Sequence, residues 1–260
     1  LFRSPNIYGM AATLCFAFLL SFTSMRLREK NELPVVELIA LFFLLATIYI
    51  TYSRTSWLAC IVAVFIVFAF FLRSKRAIQA AGVLLTVLGT MFVFDIFSFR
   101  ERVQYSTDLS PTSSGTARLE IWKANWKMFL DHPLFGVGYW QNTQLLTKYS
   151  DHIRPDELQA HAHNQYIQFL AGSGIIGLIL YLCILCAILT YFFRNFIKAK
   201  DDTIKTMALC GLLVFSAYAI ESLTDSPLDV REIRDFLMVF AGICVGTIVA
   251  QKSRLSKSAE

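Results

Sequence analysis

Residues 159–193, QAHAHNQYIQFLAGSGIIGLILYLCILCAILTYFF, set two histidines, His161 and His163, and an asparagine, Asn164, directly before a glycine-spaced apolar run. From Gly172 to Phe193 that run carries no charged side chain. About 20 helical residues cross the hydrocarbon of a bilayer, so the run reads as a spanning helix. Polar, proton-carrying groups at the lip of such a helix ask for an explanation.

The rest of the chain has the same character. Of its 260 residues 56% are hydrophobic and 14% aromatic, against roughly 45–50% apolar in an ordinary soluble domain. The excess falls into seven blocks, at 7–25, 34–52, 56–72, 77–97, 172–193, 204–221 and 233–250. The expected fold is all-α: a polytopic membrane protein with about seven transmembrane helices. Residues 1–97 hold four of them, 98–162 form a large polar segment, 163–250 hold three, and 251–260 are a tail. Arg26, Arg28 and Lys30 follow the first block, Arg73, Lys75 and Arg76 the third, Arg194, Lys198, Lys200 and Lys205 the fifth, and Lys252, Arg254 and Lys257 the last. Alternating helices put all four groups on one side, which the positive-inside rule makes cytoplasmic. The 98–162 segment, the 52–56 turn and the 221–232 loop then face outward. An outward amino end points to further helices upstream, so the chain reads as the carboxy-terminal portion of a larger protein.

The net charge of +5 comes from those basic loops and suits anionic lipid headgroups; no aromatic-interleaved basic patch points to nucleic acid. All six cysteines fall inside apolar blocks, so no disulfide framework is implied. Cys183 and Cys186, three apart in mid-span, are expected to pack against other helices.

In the outward segment, TARLEIWKANWKMFLDHP (116–133) reads as a helix stopped by Pro133. Leu119, Trp122, Trp126, Phe129 and Leu130 recur at helical spacing, which suits a helix lying along the membrane interface. Arg118 shares an edge of the wheel with Trp122 and Asn125; the plain alternative is a salt bridge to Glu101 or Asp108. PLFGVGYW (133–140) reads as a turn, with backbone N–H groups able to hold an anion as the sharper alternative. His163 suits a general base, since an unperturbed imidazole titrates near neutrality. Were 161–164 helical, His161 and His163 would face nearly opposite ways. His152, His161 and His163 also offer three imidazoles for zinc, but no carboxylate ligand is evident beside them. Arg54, in TYSRTSW (51–57), lies at a predicted membrane boundary, where a guanidinium anchors lipid phosphate or grips a phosphorylated substrate. Glu221 and Asp225, in ESLTDSPLDVRE (221–232), read as a solvated acidic loop, or else as positioners of His163 or of a substrate.

YSRTSW before an apolar helix, and GTARLEIWKANWKMFLDHPLFGVG leading to HAHNQYIQFLAGSGIIG, resemble the O-antigen ligase and polymerase superfamily. The ligase pattern of His, then Asn, Ser or Gln, nine residues, Gly, two residues and Gly, Thr or Tyr is met by His163, Asn164, Gly174 and Gly177. The resemblance covers most of 50–180. It implies a GT-C-like membrane glycosyltransferase of the bacterial inner membrane with its site facing the periplasm. The implied donor is a glycan on undecaprenyl pyrophosphate, and for a ligase the acceptor is a sugar hydroxyl of lipid A-core. His163 would be the catalytic base, Arg54 and Arg118 would bind the pyrophosphate, and Asn164, His161, Glu221 and Asp225 are possible supports. No cofactor or metal is expected, because two guanidinium groups would do a divalent cation's work. Gly174 and Gly177 would let a neighbouring helix approach. O-antigen or exopolysaccharide polymerases and protein O-oligosaccharyltransferases share the chemistry. A polyprenol-glycan transporter is the reading from another class, but it should carry polar residues at mid-span, and here they gather at one face.

Overall fold

The computed structural model describes residues 5–29, 34–71, 114–150 and 161–258. Nine helices run through them: α1 Pro5–Glu29, α2 Val35–Ile50, α3 Arg54–Phe71, α4 Ser114–Asp131, α5 Gln141–Gln144, α6 Leu146–Tyr149, α7 Gln165–Lys198, α8 Asp202–Glu221 and α9 Arg231–Lys257. Four segments, Pro5–Arg28, Gln165–Lys198, Asp202–Glu221 and Arg231–Lys257, are long and apolar enough to cross a bilayer, and α2 and α3 are shorter apolar helices. The protein is a polytopic, all-helical membrane protein. Six of the seven predicted blocks coincide with these helices; the seventh, 77–97, lies outside the described residues.

The chain divides into two compact units, Leu1–Phe70 with Leu182–Glu260, and Phe71–Tyr181. In the first, α8 packs on both α1 and α9. Its small residues permit this: Ala208 and Cys210 are fully buried, and a Cβ on Gly211 would lie 2.3 Å from the Phe192 ring. Side-chain hydroxyls inside α1 spend their donors locally. Thr13 donates to the Gly9 carbonyl at 2.9 Å, Ser21 to Ala17 at 2.9 Å and Thr23 to Leu19 at 3.0 Å. This lets polar residues sit in an apolar helix without an orphan donor. Cys183 and Cys186 do not pack as expected. Both are exposed on α7, because the face three residues apart that they share points away from the unit.

The start of α8 is set by Asp201. Its Oδ1 accepts from the Ile204 N–H at 2.9 Å and its Oδ2 from Gln251 Nε2 at 3.0 Å. The Ile204 bond and then the Gln251 bond hold its carboxyl below the usual carboxylate range. A carboxyl depressed in the folded state contributes stability above its unfolded pKa, and that contribution is lost as pH falls through the folded value. Asp201→Ala should therefore lower stability by about 1 kcal/mol at neutral pH, with Asp201→Asn close to wild type. The gap between wild type and Asp201→Ala should close on acidification, as read from thermal unfolding in detergent at a series of pH values.

Candidate active site

The second unit is organised by a break in α7. Gly174 has φ 66° and ψ −170° in the middle of the helix, a region of backbone space essentially closed to residues with a Cβ. The break frees backbone groups, and the loop after α4 takes them up. Val137 N–H donates to Ala171 O at 3.0 Å and Gly138 N–H to Gly172 O at 2.9 Å, while Ile175 N–H donates to Pro133 O at 2.8 Å. The turn reading of PLFGVGYW holds, and the amides of Gly136, Val137 and Gly138 are spent on the His132 carbonyl and on the broken helix. Gly174 and Gly177 also serve differently from expectation. A Cβ on Gly174 would lie 2.3 Å from Leu134 backbone, and one on Gly177 would lie 2.2 Å from Ser173 Cβ. The close neighbour of Gly174 is a loop rather than a second helix.

Before α7 runs a strap, 161–164, that is not helical. The helix begins because Asn164 caps it: its Oδ1 accepts from Tyr166 N–H at 2.9 Å and Ile167 N–H at 3.0 Å. α7 therefore starts seven residues ahead of the predicted apolar block. His163 has φ 48°, in the left-handed region. The opposite-face expectation for the two histidines is corrected, since it assumed a helix; their rings are 4.4 Å apart. His163 N–H donates to His161 Nδ1 at 3.2 Å, which makes that nitrogen an acceptor and leaves Nε2 of His161 to carry the proton. His152, the third imidazole of the zinc reading, lies outside the described residues.

Helix α4 shows two apolar faces. Ile121, Ala124 and Met128 are buried in a core with Leu146 and Ala171. The stripe read from the sequence is largely outside it, with Leu119, Trp126 and Leu130 at 45%, 52% and 59% exposure, as an interfacial helix requires. Trp122 lies between the faces, and its indole N–H donates to Ala162 O at 2.8 Å. Arg118 is half-buried one turn earlier, on the edge shared with Trp122 and Asn125, both of which join the strap's hydrogen-bond system. Glu101 and Asp108, its candidate ion partners, lie outside the described residues.

The remaining site candidates belong to the first unit. Tyr52, at φ 61°, turns the chain between α2 and α3, and Arg54 opens α3 with an exposed side chain. The small residues of TYSRTSW face inward. Thr51, Ser53, Thr55 and Ser56 are buried, Ser56 Oγ donates to Ser53 Oγ at 2.9 Å, and Thr55 pairs with Thr224 through their hydroxyls. Gly9 admits this patch, since a Cβ there would lie 2.8 Å from Thr51 Oγ1. The acidic loop is not solvated, contrary to the default reading. Glu221 is 2% exposed and Asp225 7%. Ser56 and Thr13 lie beside the Glu221 carboxyl, and Asp225 Oδ1 accepts from Ser226 N–H at 2.9 Å. The loop is buried because its own turns satisfy its backbone.

The structure thus gathers His161, His163, Asn164 and Arg118 in one unit and Arg54, Glu221 and Asp225 in the other. Sequence reading missed Gln168, Asn142 and Asn125, three carboxamides buried to 1% exposure or less that support the strap. Their only sequence signal is a polar side chain in a stretch otherwise reserved for core. Residues 39–182, more than half of the chain, match the family described as O-antigen ligase. No curated protein matches the chain.

Gly174→Ala should cost about 1–3 kcal/mol from its backbone conformation alone, and the overlap with Leu134 adds to that. The expected result is loss of monodisperse folded protein on size-exclusion chromatography. Gly246→Ala is the control, because a Cβ there meets nothing within 4 Å; it should behave as wild type.

Proposed function

The chain belongs to the O-antigen ligase family, a family of membrane enzymes that transfer lipid-linked glycans, and on that premise we propose that it moves an O-antigen glycan from undecaprenyl pyrophosphate to a sugar hydroxyl of lipid A-core. The observation that carries this reading is the strap. It presents His163, half-buried and in a fixed backbone conformation, at the entry of a membrane-spanning helix. A base held there meets a polar acceptor on one side and a lipid-borne donor on the other. Seven spans, a periplasm-facing 98–162 segment and a GT-C-like arrangement in the inner membrane belong to the same reading, supported by the basic loops.

The reaction is an inverting displacement. The acceptor hydroxyl oxygen attacks the anomeric carbon while the bond from that carbon to the pyrophosphate oxygen breaks. The hydroxyl proton passes to His163, and undecaprenyl pyrophosphate leaves with the bonding electrons. A positioned base contributes on the order of 10²–10⁴ in rate. The leaving diphosphate gains charge as the bond breaks, and we assign its neutralisation to Arg118 and Arg54, each able to grip phosphate oxygens with a two-pronged guanidinium. Arg118 is supported by its place on the Trp122 edge of α4, and Arg54 by the family pattern around it. Guanidinium groups in these roles make transfer independent of a divalent metal. Of the two buried acids, the hydroxyl nest around Glu221 fits a structural part, and Asp225 is the candidate to hold the acceptor sugar.

Expressed in a ligase-deficient cell, the His163→Ala full-length protein should reach normal membrane levels yet yield no lipopolysaccharide ladder, with carrier-linked glycan accumulating. An unchanged ladder refutes the base assignment. A polymerase would instead change the length distribution of carrier-linked glycan. With purified enzyme, Arg118→Ala should cut kcat by roughly 10²–10³ with Arg118→Lys intermediate, and a chelator should leave wild-type rates unchanged.

A further inference from the structure

We propose that Gln168, Asn142 and Trp122 are positioning residues for His163, a buried relay that locks the peptide planes of the strap so that the imidazole is offered in one orientation. The proposal rests on the reading of His163 as the base.

Ala162 is the centre of the relay. It is fully buried and both of its backbone polar groups are held. Its N–H donates to Gln168 Oε1 at 2.9 Å, and its carbonyl accepts from Trp122 Nε1 at 2.8 Å. The two partners come from different helices, α7 and α4. The carbonyl of Ala162 and the N–H of His163 belong to one rigid peptide plane. Trp122 holds that plane by its oxygen, and His161 Nδ1 holds it by its hydrogen at 3.2 Å. On the other side of His163, Asn164 is fixed by its two capping bonds. A left-handed conformation in a residue with a Cβ persists only where the surroundings determine it from several directions; here the preceding plane is held by both its oxygen and its hydrogen, and the next residue is anchored through its capping side chain. The side chain of His163 has its own torsions left to set, but its Cα–Cβ vector is fixed.

Gln168 is itself held. Its Oε1 also accepts from Asn142 Nδ2 at 3.0 Å, and its Nε2 donates to Asn142 Oδ1 at 3.2 Å. Asn142 Nδ2 donates in turn to Asn125 Oδ1 at 2.8 Å, and Asn125 Nδ2 to the Ile121 carbonyl at 2.8 Å. Because the Ala162 amide can only donate, the direction of every later link is determined. This chain of carboxamides runs through a core of Ile121, Ala124, Met128 and Leu146. Apolar side chains could fill the space of the carboxamides themselves, since replacing both partners of a buried hydrogen bond is close to neutral for stability. What apolar side chains could not supply is an acceptor for the Ala162 amide. The network is therefore explained by what it does to the strap.

The test separates positioning from mere support. In full-length enzyme in lipid nanodiscs, with lipid-linked donor and core acceptor, kcat, KM and thermal midpoint are measured for His163→Ala, Gln168→Leu, Gln168→Leu/Asn142→Leu and Trp122→Phe. Gln168→Leu should lose both stability and kcat. The double variant removes the orphaned Asn142 and should recover part of the lost thermal midpoint, the Ala162 amide still lacking its acceptor, while kcat stays at least tenfold down and KM stays within twofold. Trp122→Phe keeps an aromatic ring but loses the indole N–H and part of the ring's volume; it should lower kcat about fivefold, more than its small fall in midpoint accounts for. Wild-type kcat in the double variant or in Trp122→Phe overturns the proposal, as does a kcat that merely follows the folded fraction. Should the double variant fail to fold, Trp122→Phe decides alone. If His163→Ala keeps its activity, the base reading itself has failed; if His163→Ala is inactive while the relay variants match wild type, only the positioning has.

Discussion

A helix that stops being a helix within a lipid-facing segment must find other partners for its freed backbone, because lipid offers none. The bonds between the 133–138 loop and the two sides of Gly174 meet that demand, and the rest of the second unit follows from them. They fasten the end of α4 to the first turns of α7. With that join made, Trp122, about two and a half turns before the end of α4, reaches the Ala162 carbonyl of the strap, and Asn125 reaches Asn142. The strap is reachable from α4 only because Gly174 is broken and Pro133, lacking an N–H of its own, gives its carbonyl to the far side of the break.

Polar groups are distributed to the same end in both units. In the second, carboxamides hold a backbone; in the first, hydroxyls surround a carboxyl. Thr13 and Ser56 set their hydroxyls beside the Glu221 carboxyl, and Gly9 makes room for the Thr51, Ser53 and Ser56 patch. In TYSRTSW the short hydroxyl residues Thr51, Ser53, Thr55 and Ser56 are buried, while Tyr52 and Arg54 are exposed. An interface between lipid and water suits that division, since guanidinium remains hydrated while the short polar residues are sealed.

The spans were legible because length and lack of charge identify a membrane helix without any knowledge of its neighbours. The amphipathic stretch of α4 was legible too, although its second apolar face, Ile121, Ala124 and Met128, was hidden behind the more conspicuous tryptophans. What could not be read was anything decided by partners far along the chain. Gly174 and Gly177 have the spacing of a helix-packing motif, and spacing alone does not say that a loop occupies the gap. His161 and His163 are opposed only if 161–164 is helical, a condition the strap does not meet; Asn164 followed by an apolar run was the available capping signal. The acids of 221–232 looked solvated by composition, and only their turns explain how they are sealed. Gln168, Asn142 and Asn125 carry no periodic signature at all, as each is defined by the others.

One consequence reaches beyond the protein itself. After Gly174, α7 continues to Lys198 for roughly 36 Å at 1.5 Å per residue, a little more than the hydrocarbon thickness of about 30 Å. Most of that length is exposed, with Ile179, Leu180 and Ile184 outward at 51%, 59% and 61%. The helix is thus gauged chiefly by the membrane around it. Thinning or thickening the bilayer would raise or lower the strap like a float on a mooring line, making lipid composition a determinant of the altitude at which the imidazole sits.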